Sequence, residues 1–503
     1  MPLAKVYSAS VIGLDAVPIE VEVDILNGLP SLTIVGLPDK AIEESKERVR
    51  SAIKNSKANF PVKKLTINLA PADLKKEGPA YDLPIAIGTL MADDQVPKTL
   101  DKVLFSGELA LDGSLRHING ILPITLMAKE KGFRKIYIPE INKDEAVIVS
   151  GIDIVPVKNL ADLIYHLKKE KDLLPYRKKF VIQTPDKYDD DMAYVKGQEN
   201  AKRAIEIAAS GGHNILMTGP PGSGKTLLAR TIPTILPNLG KSEILEVTKI
   251  YSVAGLLSFD QPLIYTRPFR APHHTASNIA LVGGGTYPRP GEITLAHRGV
   301  LFMDEFAEFP RSVLEALRQP LEDGIITVSR AQGSVSYPAK FILVAAQNPC
   351  PCGYLGDPLK SCICSPTQIM RYQKRVSGPL LDRIDIHVEV PRVKYEKLAD
   401  EKVAEESKKI RERVEKARSI QQKRFKKTNA EMTPKEIKAH CALDEKSKDL
   451  LRTAMHQLNL SARQYMRILK VSRTIADLAN NKNILPDNIA EALQYRPKEQ
   501  TMY

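Results

Sequence analysis

Residues 219–226 are the most informative stretch of the chain, because their types and order match a phosphate-binding loop. The pattern G-x-x-x-x-G-K-[ST] is filled by Gly219, Pro220, Pro221, Gly222, Ser223, Gly224, Lys225 and Thr226. An apolar run precedes the loop and a helix-forming run follows it, which predicts a strand, the loop and a helix in succession. There, the backbone N–H groups face phosphates, Lys225 reaches the β- and γ-phosphates, and the Thr226 hydroxyl ligates Mg²⁺. The sequence therefore predicts a site for ATP or GTP.

Two later apolar runs end in side chains that suit nucleotide hydrolysis. Residues 299–303 lead directly into Asp304 and Glu305, and residues 341–346 lead to Asn348. Asp304 is placed to hold the Mg²⁺ shell, Glu305 to polarise the attacking water, and Asn348 to orient that water. An acidic pair after a strand can also simply cap the next helix. At this distance from a phosphate loop, however, the pair indicates ATP hydrolysis by in-line attack of water.

Four of the five cysteines lie in one short stretch. Cys350, Cys352, Cys362 and Cys364 form the pattern C-x-C-x9-C-x-C. Four thiolates this close together can surround a structural Zn²⁺ tetrahedrally. The commoner spacing is C-x2-C, so four reduced thiols are the alternative. So few cysteines argue against a disulfide framework and for a reducing cytosol.

The charge balance of the chain favours polyanionic partners. Its 503 residues include 73 Lys and Arg against 60 Asp and Glu, a formal net charge of +13. This balance fits nucleic acid, although a solvated lysine-rich surface explains it equally well. There is no apolar run of membrane-spanning length and no signal segment at the start, so we expect a cytoplasmic protein without a membrane partner.

The pattern of short β-like runs and helical runs predicts an α/β protein. Residues 11–25, 31–35 and 65–69 are typical of strands, and the charged run 39–55 is typical of an amphipathic helix. Towards the C-terminus helix formers dominate, and the densely charged run 397–427 predicts a solvated helix. We predict four parts: an α+β domain at 1–167, a charged linker at 168–191, a nucleotide-binding core with a parallel sheet at 192–392, and a helical region at 393–503.

Further segments resemble the AAA+ ATPases, in the branch that holds magnesium chelatase motor subunits and MCM helicases. The run Ser-Gly-Pro-Leu-Leu-Asp-Arg-Ile-Asp at 377–385 is similar to the segment that carries that branch's arginine finger. The resemblance implies that Arg383 reaches the γ-phosphate of a neighbouring subunit. Ser-Ala-Arg-Gln at 461–464 resembles the lid motif, which makes Arg463 the second sensor, and Asn348 matches the first sensor. Either arginine taken alone is more often a helix-surface or salt-bridge residue than a functional one. A finger acting in trans implies a homo-oligomeric ring, by resemblance a hexamer.

A closer resemblance covers nearly the whole chain. Segments 195–204 (Val-Lys-Gly-Gln-Glu-Asn-Ala-Lys-Arg-Ala), 270–277 (Arg-Ala-Pro-His-His-Thr-Ala-Ser) and 290–297 (Pro-Gly-Glu-Ile-Thr-Leu-Ala-His) resemble the ComM/YifB proteins, which are associated with natural competence. The resemblance implies a hexameric DNA helicase that drives branch migration of recombination intermediates. The implied cofactors are ATP and Mg²⁺, and the implied partner is branched or single-stranded DNA bound without sequence preference.

Two features of the core suit the DNA-gripping centre of such a ring. In this branch a loop is inserted between the phosphate loop and the acidic pair, where residues 267–298 hold Arg270 and Arg289 among other basic residues. Residues 324–338 predict a β-hairpin with Arg330 near its tip, which resembles the hairpin of MCM-type motors. These side chains would grip phosphates rather than read bases. Basic residues in ordinary surface loops are the alternative for each of them.

The N-terminal domain resembles the protease domain of Lon, a fold of the ribosomal S5 domain 2 type. Lon's nucleophilic serine follows a Gly-Pro pair, and here Ala80 stands at that position. Lon's catalytic lysine should fall near residues 120–124, where this chain has none. Because a Ser/Lys dyad needs both nucleophile and base, we expect no peptidase activity.

Two other functions share these core motifs. The first is the ATPase motor subunit of a magnesium chelatase, which would be stimulated by a tetrapyrrole partner rather than by DNA. The second is a remodeller of protein complexes that does not translocate, whose ATPase would be insensitive to DNA. The Lon-like domain and the hairpin favour DNA.

Overall fold

The computed structural model describes residues 3–98, 100–178, 190–258, 260–285, 289–330, 333–393, 404–458 and 460–497. Contacts divide the chain into two units, 1–183 with 244–264 and 184–243 with 265–503. The division near residue 183 falls inside the predicted linker. No helix in these described ranges combines the length and apolar character that crossing a lipid bilayer requires.

The first unit is an α+β fold around a seven-stranded sheet with the strand order β3-β4-β2-β1-β5-β8-β9. The strands of the first unit are β1 Ala4–Ile12, β2 Asp15–Leu26, β3 Ser31–Val35, β4 Lys64–Ala70, β5 Val103–Phe105, β6 Glu108–Leu109, β7 Leu115–Arg116, β8 Lys135–Pro139 and β9 Asp153–Val157. Strands β6 and β7 pair with each other in a separate two-stranded sheet. Its helices are α1 Lys40–Asn55, α2 Asp82–Ala92, α3 Ile121–Glu130, α4 Lys143–Ala146 and α5 Leu160–Leu167.

Local signals explain most elements of this unit. The helix predicted at 39–55 begins where the Asp39 side chain accepts the N–H of Ile42, as an N-cap residue does. The single strand predicted at 11–25 is wrong, because the chain reverses at Gly13, whose φ is +63°, and β1 pairs antiparallel with β2. A two-residue hairpin turn favours glycine at such a φ. Ala80 lies in a 3₁₀ turn, Pro79–Tyr81, and its carbonyl accepts the N–H of Gly107.

Residues 244–264, which the sequence places in the core, pack within the first unit. Ser252 donates its hydroxyl to Glu145, 2.5 Å away, and accepts the N–H of Gly120 at its carbonyl. Lys249 pairs with Asp15, with 2.5 Å between Nζ and Oδ1. No periodicity in the sequence predicts that these residues belong to the first unit, because their contacts join residues more than a hundred positions apart.

The second unit is built on a five-stranded parallel sheet with the strand order β11-β14-β17-β10-β18. Its strands are β10 Ile215–Thr218, β11 Phe269–Arg270, β12 Gly283–Gly284, β13 Arg289–Pro290, β14 Val300–Met303, β15 Ile325–Arg330, β16 Gly333–Pro338, β17 Ile342–Gln347 and β18 Ile386–Glu389. The helices of this part of the chain are α6 Glu199–Gly211, α7 Lys225–Ile235, α8 Lys241–Ala254, α9 Asn278–Val282, α10 Glu292–Leu295, α11 Arg311–Ala316, α12 Arg318–Asp323, α13 Pro366–Gln373 and α14 Gly378–Leu381. Helix α8 begins in the second unit, and from residue 244 it belongs to the first. The predicted parallel sheet and α/β class are confirmed.

The C-terminal part of this unit is helical, as predicted. Its helices are α15 Ser407–Phe425, α16 Pro434–His440, α17 Glu445–Gln457, α18 Ala462–Leu478 and α19 Pro486–Gln494. The interpretation of 397–427 as a wholly solvated helix is wrong for α15, whose Ile410, Val414 and Ala417 are buried against α6 and α7. These apolar residues recur every three to four positions, but charged neighbours mask the pattern. Positions 397–403 of that prediction lie outside the described residues.

Candidate active site

The phosphate loop joins the buried strand β10 to helix α7, as the sequence predicts. Gly222 and Gly224 have φ of +74° and +92°, the left-handed region that glycine enters without strain. Gly219 is required for a different reason, since a Cβ there would lie 2.1 Å from the carbonyl oxygen of Val390. The loop therefore needs glycine at all three positions to hold its backbone in this shape.

Lys225 is buried at the start of α7 with oxygen atoms around its ammonium. Its Nζ donates to the carbonyls of Gly219 (2.8 Å) and Pro220 (2.9 Å) and approaches Oδ1 of Asn348 at 3.4 Å. Burial lowers the pKa of Lys225, because removing the ammonium from water penalises its charged form, and the Asp304 carboxylate partly opposes this shift. An ammonium held by neutral carbonyls lacks a strong anionic partner, which is the environment in which a phosphate would bind it well.

The carboxyl ends of three parallel strands bring the other predicted residues to the same edge. Thr226 donates its hydroxyl to Oδ2 of Asp304 over 2.8 Å, and Oδ1 of Asp304 accepts the N–H of Glu305 at 2.9 Å. Strand β14 delivers Asp304, and β17, between β14 and β10, delivers Asn348. The hydroxyl and carboxylate expected to share Mg²⁺ are thus already in contact, and hard oxygen ligands of this kind suit that ion.

His274 is a member of this site that the sequence analysis did not assign. Its Nδ1 lies 2.8 Å from Oε2 of Glu305, whose backbone is left-handed with φ of +52°. The His274 ring also stands edge-on to Phe309, at 6.5 Å between ring centroids. Parallel pairing of β11 with β14 brings these distant segments together. His274 therefore fixes the carboxylate that was predicted to activate water.

The two arginines assigned by resemblance share one carboxylate, that of Glu322 at the end of α12. Arg383 forms an ion pair with Oε2 of Glu322 and donates to the carbonyl of Pro379 at 2.7 Å. Arg463, in the first turn of α18, lies 3.9 Å from Oε1 of Glu322. The Arg383 side chain is only 13 % exposed, whereas Arg463 is 61 % exposed. The guanidinium predicted to act on a neighbour is thus turned towards its own chain.

The segment that carries Arg383 is clamped to helix α18. The buried Arg467 donates to the carbonyls of Asp382 and Ile384, with 2.9 Å for the second bond. Its Nε also lies 3.5 Å from the Asp385 carboxylate, which pairs with the ring of His213 at 3.1 Å. Arg383 and Arg463 are therefore attached to the same helix.

The four clustered cysteines converge in the loop after Asn348. The sulfur of Cys350 lies 3.4 Å from that of Cys352 and 3.6 Å from that of Cys362, and Cys352 and Cys362 are 3.5 Å apart. All four sulfurs, including that of Cys364, lie within 4.8 Å of one another. Zinc bound to four thiolates at about 2.3 Å places the sulfurs about 3.8 Å apart, so the arrangement fits one tetrahedral ion. Backbone N–H groups of Tyr354 and Ile363 lower the pKa of Cys352 to about 6, which favours a thiolate ligand.

The cysteine loop also touches the phosphate loop. A Cβ at Gly353 would lie 2.6 Å from Cδ of Pro221, and the φ of Gly353 is +84°. The loop that the cysteines would fix therefore packs directly against the wall of the nucleotide site.

The residues predicted to contact DNA have different surroundings. Arg270 forms a two-pronged ion pair with Glu292, with both N···O distances 2.6 Å, so its guanidinium is engaged within the chain. Arg289 is exposed on β13. The predicted hairpin is present as β15 and β16, which pair antiparallel from Ile325 to Arg330. The tip and the Arg330 side chain lie outside the described residues.

The sequence is similar to three family models and to several known proteins. Family models described as "Magnesium chelatase, subunit ChlI", "Subunit ChlI of Mg-chelatase" and "Magnesium chelatase, subunit ChlI C-terminal" match residues 191–398, 21–142 and 404–496. The competence protein ComM of Haemophilus influenzae is 46% identical over 503 residues, covering 99% of this chain and 98% of that protein. The YifB protein of Escherichia coli is 44% identical over 499 residues, or 99% and 97% of the two chains. Lon protease 2 of Bacillus subtilis is 27% identical over 161 residues, 29% of each chain.

Proposed function

The chain belongs to the ComM/YifB-like family of magnesium chelatase-related proteins, and from that premise we propose that it is an ATP-hydrolysing ring motor that acts on DNA. The observation that carries the proposal is the meeting of Lys225, Thr226, Asp304 and Asn348 at one edge of the parallel sheet. In P-loop ATPases, positioning and charge stabilisation of this kind supply nearly all of the catalysis.

Each residue at this edge has a defined task in hydrolysis. Lys225 exchanges the carbonyls of Gly219 and Pro220 for phosphate oxygens when the nucleotide enters. Thr226 and Asp304 would hold Mg²⁺, which would neutralise phosphate charge. Glu305, held by His274, accepts the proton of the attacking water, and Asn348 orients that water. The parts required for in-line attack are thus supplied by one chain, apart from a cation opposite the γ-phosphate.

We assign that missing cation to Arg383 of a neighbouring copy. A guanidinium presents planar paired donors to the transferring phosphoryl group and stabilises its transition-state charge. Because the finger and the phosphate loop belong to different copies, the contact is head-to-tail, and a contact of this kind generates a ring when the rotation between copies closes. We propose a homo-hexamer, by resemblance.

The DNA part of the proposal is supported by the hairpin β15–β16 and by the net charge of +13. It is also supported by the relative's description as a competence protein, since competence concerns the uptake of DNA. A motor that grips phosphates through a pore would bind DNA without sequence preference and with strong salt dependence. We therefore propose a helicase that promotes branch migration in homologous recombination and natural transformation.

The alternative function is the motor of a metal-inserting chelatase, which is supported by the magnesium chelatase descriptions of the matching families. The decisive experiment measures ATPase rate with forked DNA, with a tetrapyrrole partner, and with neither, together with unwinding of three- and four-way junctions. The matched negative control is Lys225→Ala, which should lose about 10²–10³-fold in rate, as removal of one electrostatic stabiliser does. An ATPase unaffected by DNA but accelerated by the tetrapyrrole partner would overturn the DNA assignment.

We further propose that Cys350, Cys352, Cys362 and Cys364 bind one structural Zn²⁺. The sulfur–sulfur distances of 3.4–3.6 Å support it, as does the polar, Gly- and Pro-containing loop that has little apolar surface to pack. The ion would fix the loop between Asn348 and helix α13.

A further inference from the structure

A cleft of about 540 Å³ is lined on one side by residues that follow the acidic pair of the candidate active site in the sequence. One wall is the stretch after Glu305, ending with Arg311 at the start of α11. The other wall is the end of α13 and the turn after it, with Arg371, Lys374 and Arg375. All four cationic side chains are exposed, and the buried residue Phe309 also lines the cleft.

The charges around this cleft are not balanced. Glu308 is the one carboxylate in its lining, and Glu308 already forms an ion pair with Arg375. Within the described part of the chain, Arg311, Arg371 and Lys374 form no ion pair. Like charges gathered around a concave surface focus a positive potential into it, and an entering anion relieves their repulsion. The cleft is therefore shaped and charged for a polyanion.

The position of the cleft ties it to the chemistry of the site. Its first wall begins at Ala307, two residues after Glu305, inside the 3₁₀ turn Phe306–Glu308. Its second wall is formed by the C-terminal end of α13, and the N-terminal end of that helix is capped by Ser365, the residue after Cys364, through a capping box with Gln368. Anything bound in the cleft thus contacts an element that leads to the candidate base and another that the cysteine loop anchors.

We propose that this cleft binds the phosphodiester backbone of DNA. The inference rests on the proposed function, because it assigns a second DNA contact to the same motor, apart from the hairpin. Arginine matches phosphate oxygens with paired planar donors, and residues three and four apart on a helix present their side chains on one face. Contacts of this kind position the duplex or strand and carry no sequence information. DNA in the cleft touches the wall that leads to Glu305, which gives DNA binding a direct route to the rate of hydrolysis.

The test measures DNA affinity by fluorescence anisotropy, using one labelled duplex over a series of salt concentrations. The variant Arg371→Ala/Lys374→Ala removes two cleft cations, and the matched control Lys435→Ala/Lys438→Ala removes two exposed lysines with the same spacing from helix α16. Each lost phosphate contact lowers the slope of log K against log salt by about 0.9. We expect the cleft variant to bind more weakly with a slope shallower by about 2, and the control to keep the wild-type slope.

The possible results separate this inference from the proposed function. An unchanged slope in the cleft variant, or an equal loss in the control, overturns the cleft while wild-type DNA binding leaves the motor proposal standing. If the wild-type protein binds no DNA, both the cleft and the motor proposal are overturned. That result needs only the measurement on the wild type. Thermal unfolding of each variant establishes that it is folded. If the double variant is unstable, Arg371→Ala and Lys374→Ala singly should each lower the slope by about 1.

Discussion

A single carboxylate, Glu322, holds both arginines that were assigned to phosphate recognition. Arg383 must leave this partner and turn away from its own chain before it can reach a neighbour's nucleotide. The pair is half exposed on the Glu322 side, at 52 %, so solvent screens it. Exposed pairs of this kind are worth about 0.2–1 kcal/mol, which is small enough for ring contacts to break. Glu322 is therefore well placed to act as a resting partner for the finger.

The change Glu322→Gln tests this role of Glu322. Without the carboxylate, the Arg383 finger is released more often, and we expect DNA-free ATP hydrolysis at high protein concentration to rise by up to about fivefold, the factor for 1 kcal/mol. The adjacent exposed carboxylate provides the control, since Asp323→Asn makes the same charge change. A fall in rate would mean that Glu322 orients the finger for catalysis instead. A rise that persists when Arg383→Ala is added would also contradict the resting-partner role.

The sequence predicted those residues of the site that lie within a continuous pattern. The phosphate loop, the acidic pair and Asn348 each follow an apolar run, and parallel strands necessarily bring their carboxyl ends to one edge. His274 and Glu322 could not be predicted in the same way. His274 meets Glu305 only because β11 pairs with β14, and Glu322 meets Arg383 across 61 positions. No local spacing encodes either contact.

The cysteine loop links several elements of the site. It follows Asn348 directly, contacts Pro221 through Gly353, and ends at the cap of α13. Its stability therefore bears on the phosphate loop and on the basic cleft together. We propose that a loop of this composition gains its order from a cross-link, which a bound metal ion would supply.

We predict one zinc ion per chain in protein purified without chelator, measured by inductively coupled plasma mass spectrometry. Cys362→Ala should lose the ion and lower the unfolding midpoint, by about 2–4 °C for each kcal/mol lost. Cys441→Ala is the matched control, because Cys441 is buried among the C-terminal helices, remote in sequence from the cluster. Zinc content that is absent in the wild type, or unchanged in Cys362→Ala, would remove the structural ion.

The hairpin β15–β16 is the element assigned to DNA in the ring centre. It follows α12 through Gly324, whose φ is +67°, so Glu322 stands three residues before the first residue of β15. We expect Arg330→Ala to reduce strand displacement much more than DNA-free ATP hydrolysis, because the role proposed for Arg330 is to grip phosphates and not to take part in water attack. Displacement of a labelled strand and release of phosphate are measured on the same preparation, with Ser329→Ala as control. Parallel loss of both activities would contradict the pore role.

Element by element, the sequence predicted what propensity and capping decide locally. Helix α1 begins at its cap, and β3 and β4 lie at the predicted β-like runs 31–35 and 65–69. Tertiary contacts decide the rest. Helix α15 buries one face although most of its residues are charged. Residues 244–264 belong to the first unit, although the residues before and after them belong to the second. Neither feature can be predicted from charge density or from order along the chain.

For the whole molecule, the proposed ring explains why one chain contains an incomplete site. Arg467 fastens the Arg383 segment to helix α18, and the first turn of that helix carries Arg463. A movement of α18 in one copy would therefore move the finger presented to the next. We propose that this link between each finger and the helix of its own chain would let hydrolysis pass from copy to copy around the ring.

Mixing two inactive variants tests the assembly directly. Lys225→Ala lacks a working phosphate loop but retains its finger, whereas Arg383→Ala lacks the finger but retains the loop. Each alone should be nearly inactive. In a one-to-one mixture, about a quarter of the head-to-tail contacts join an intact loop to an intact finger, so we expect up to about a quarter of the wild-type ATPase rate. This fraction does not depend on the number of copies in the ring. If the mixture stays as inactive as its components although light scattering shows mixed assemblies, Arg383 acts within its own chain or not at all.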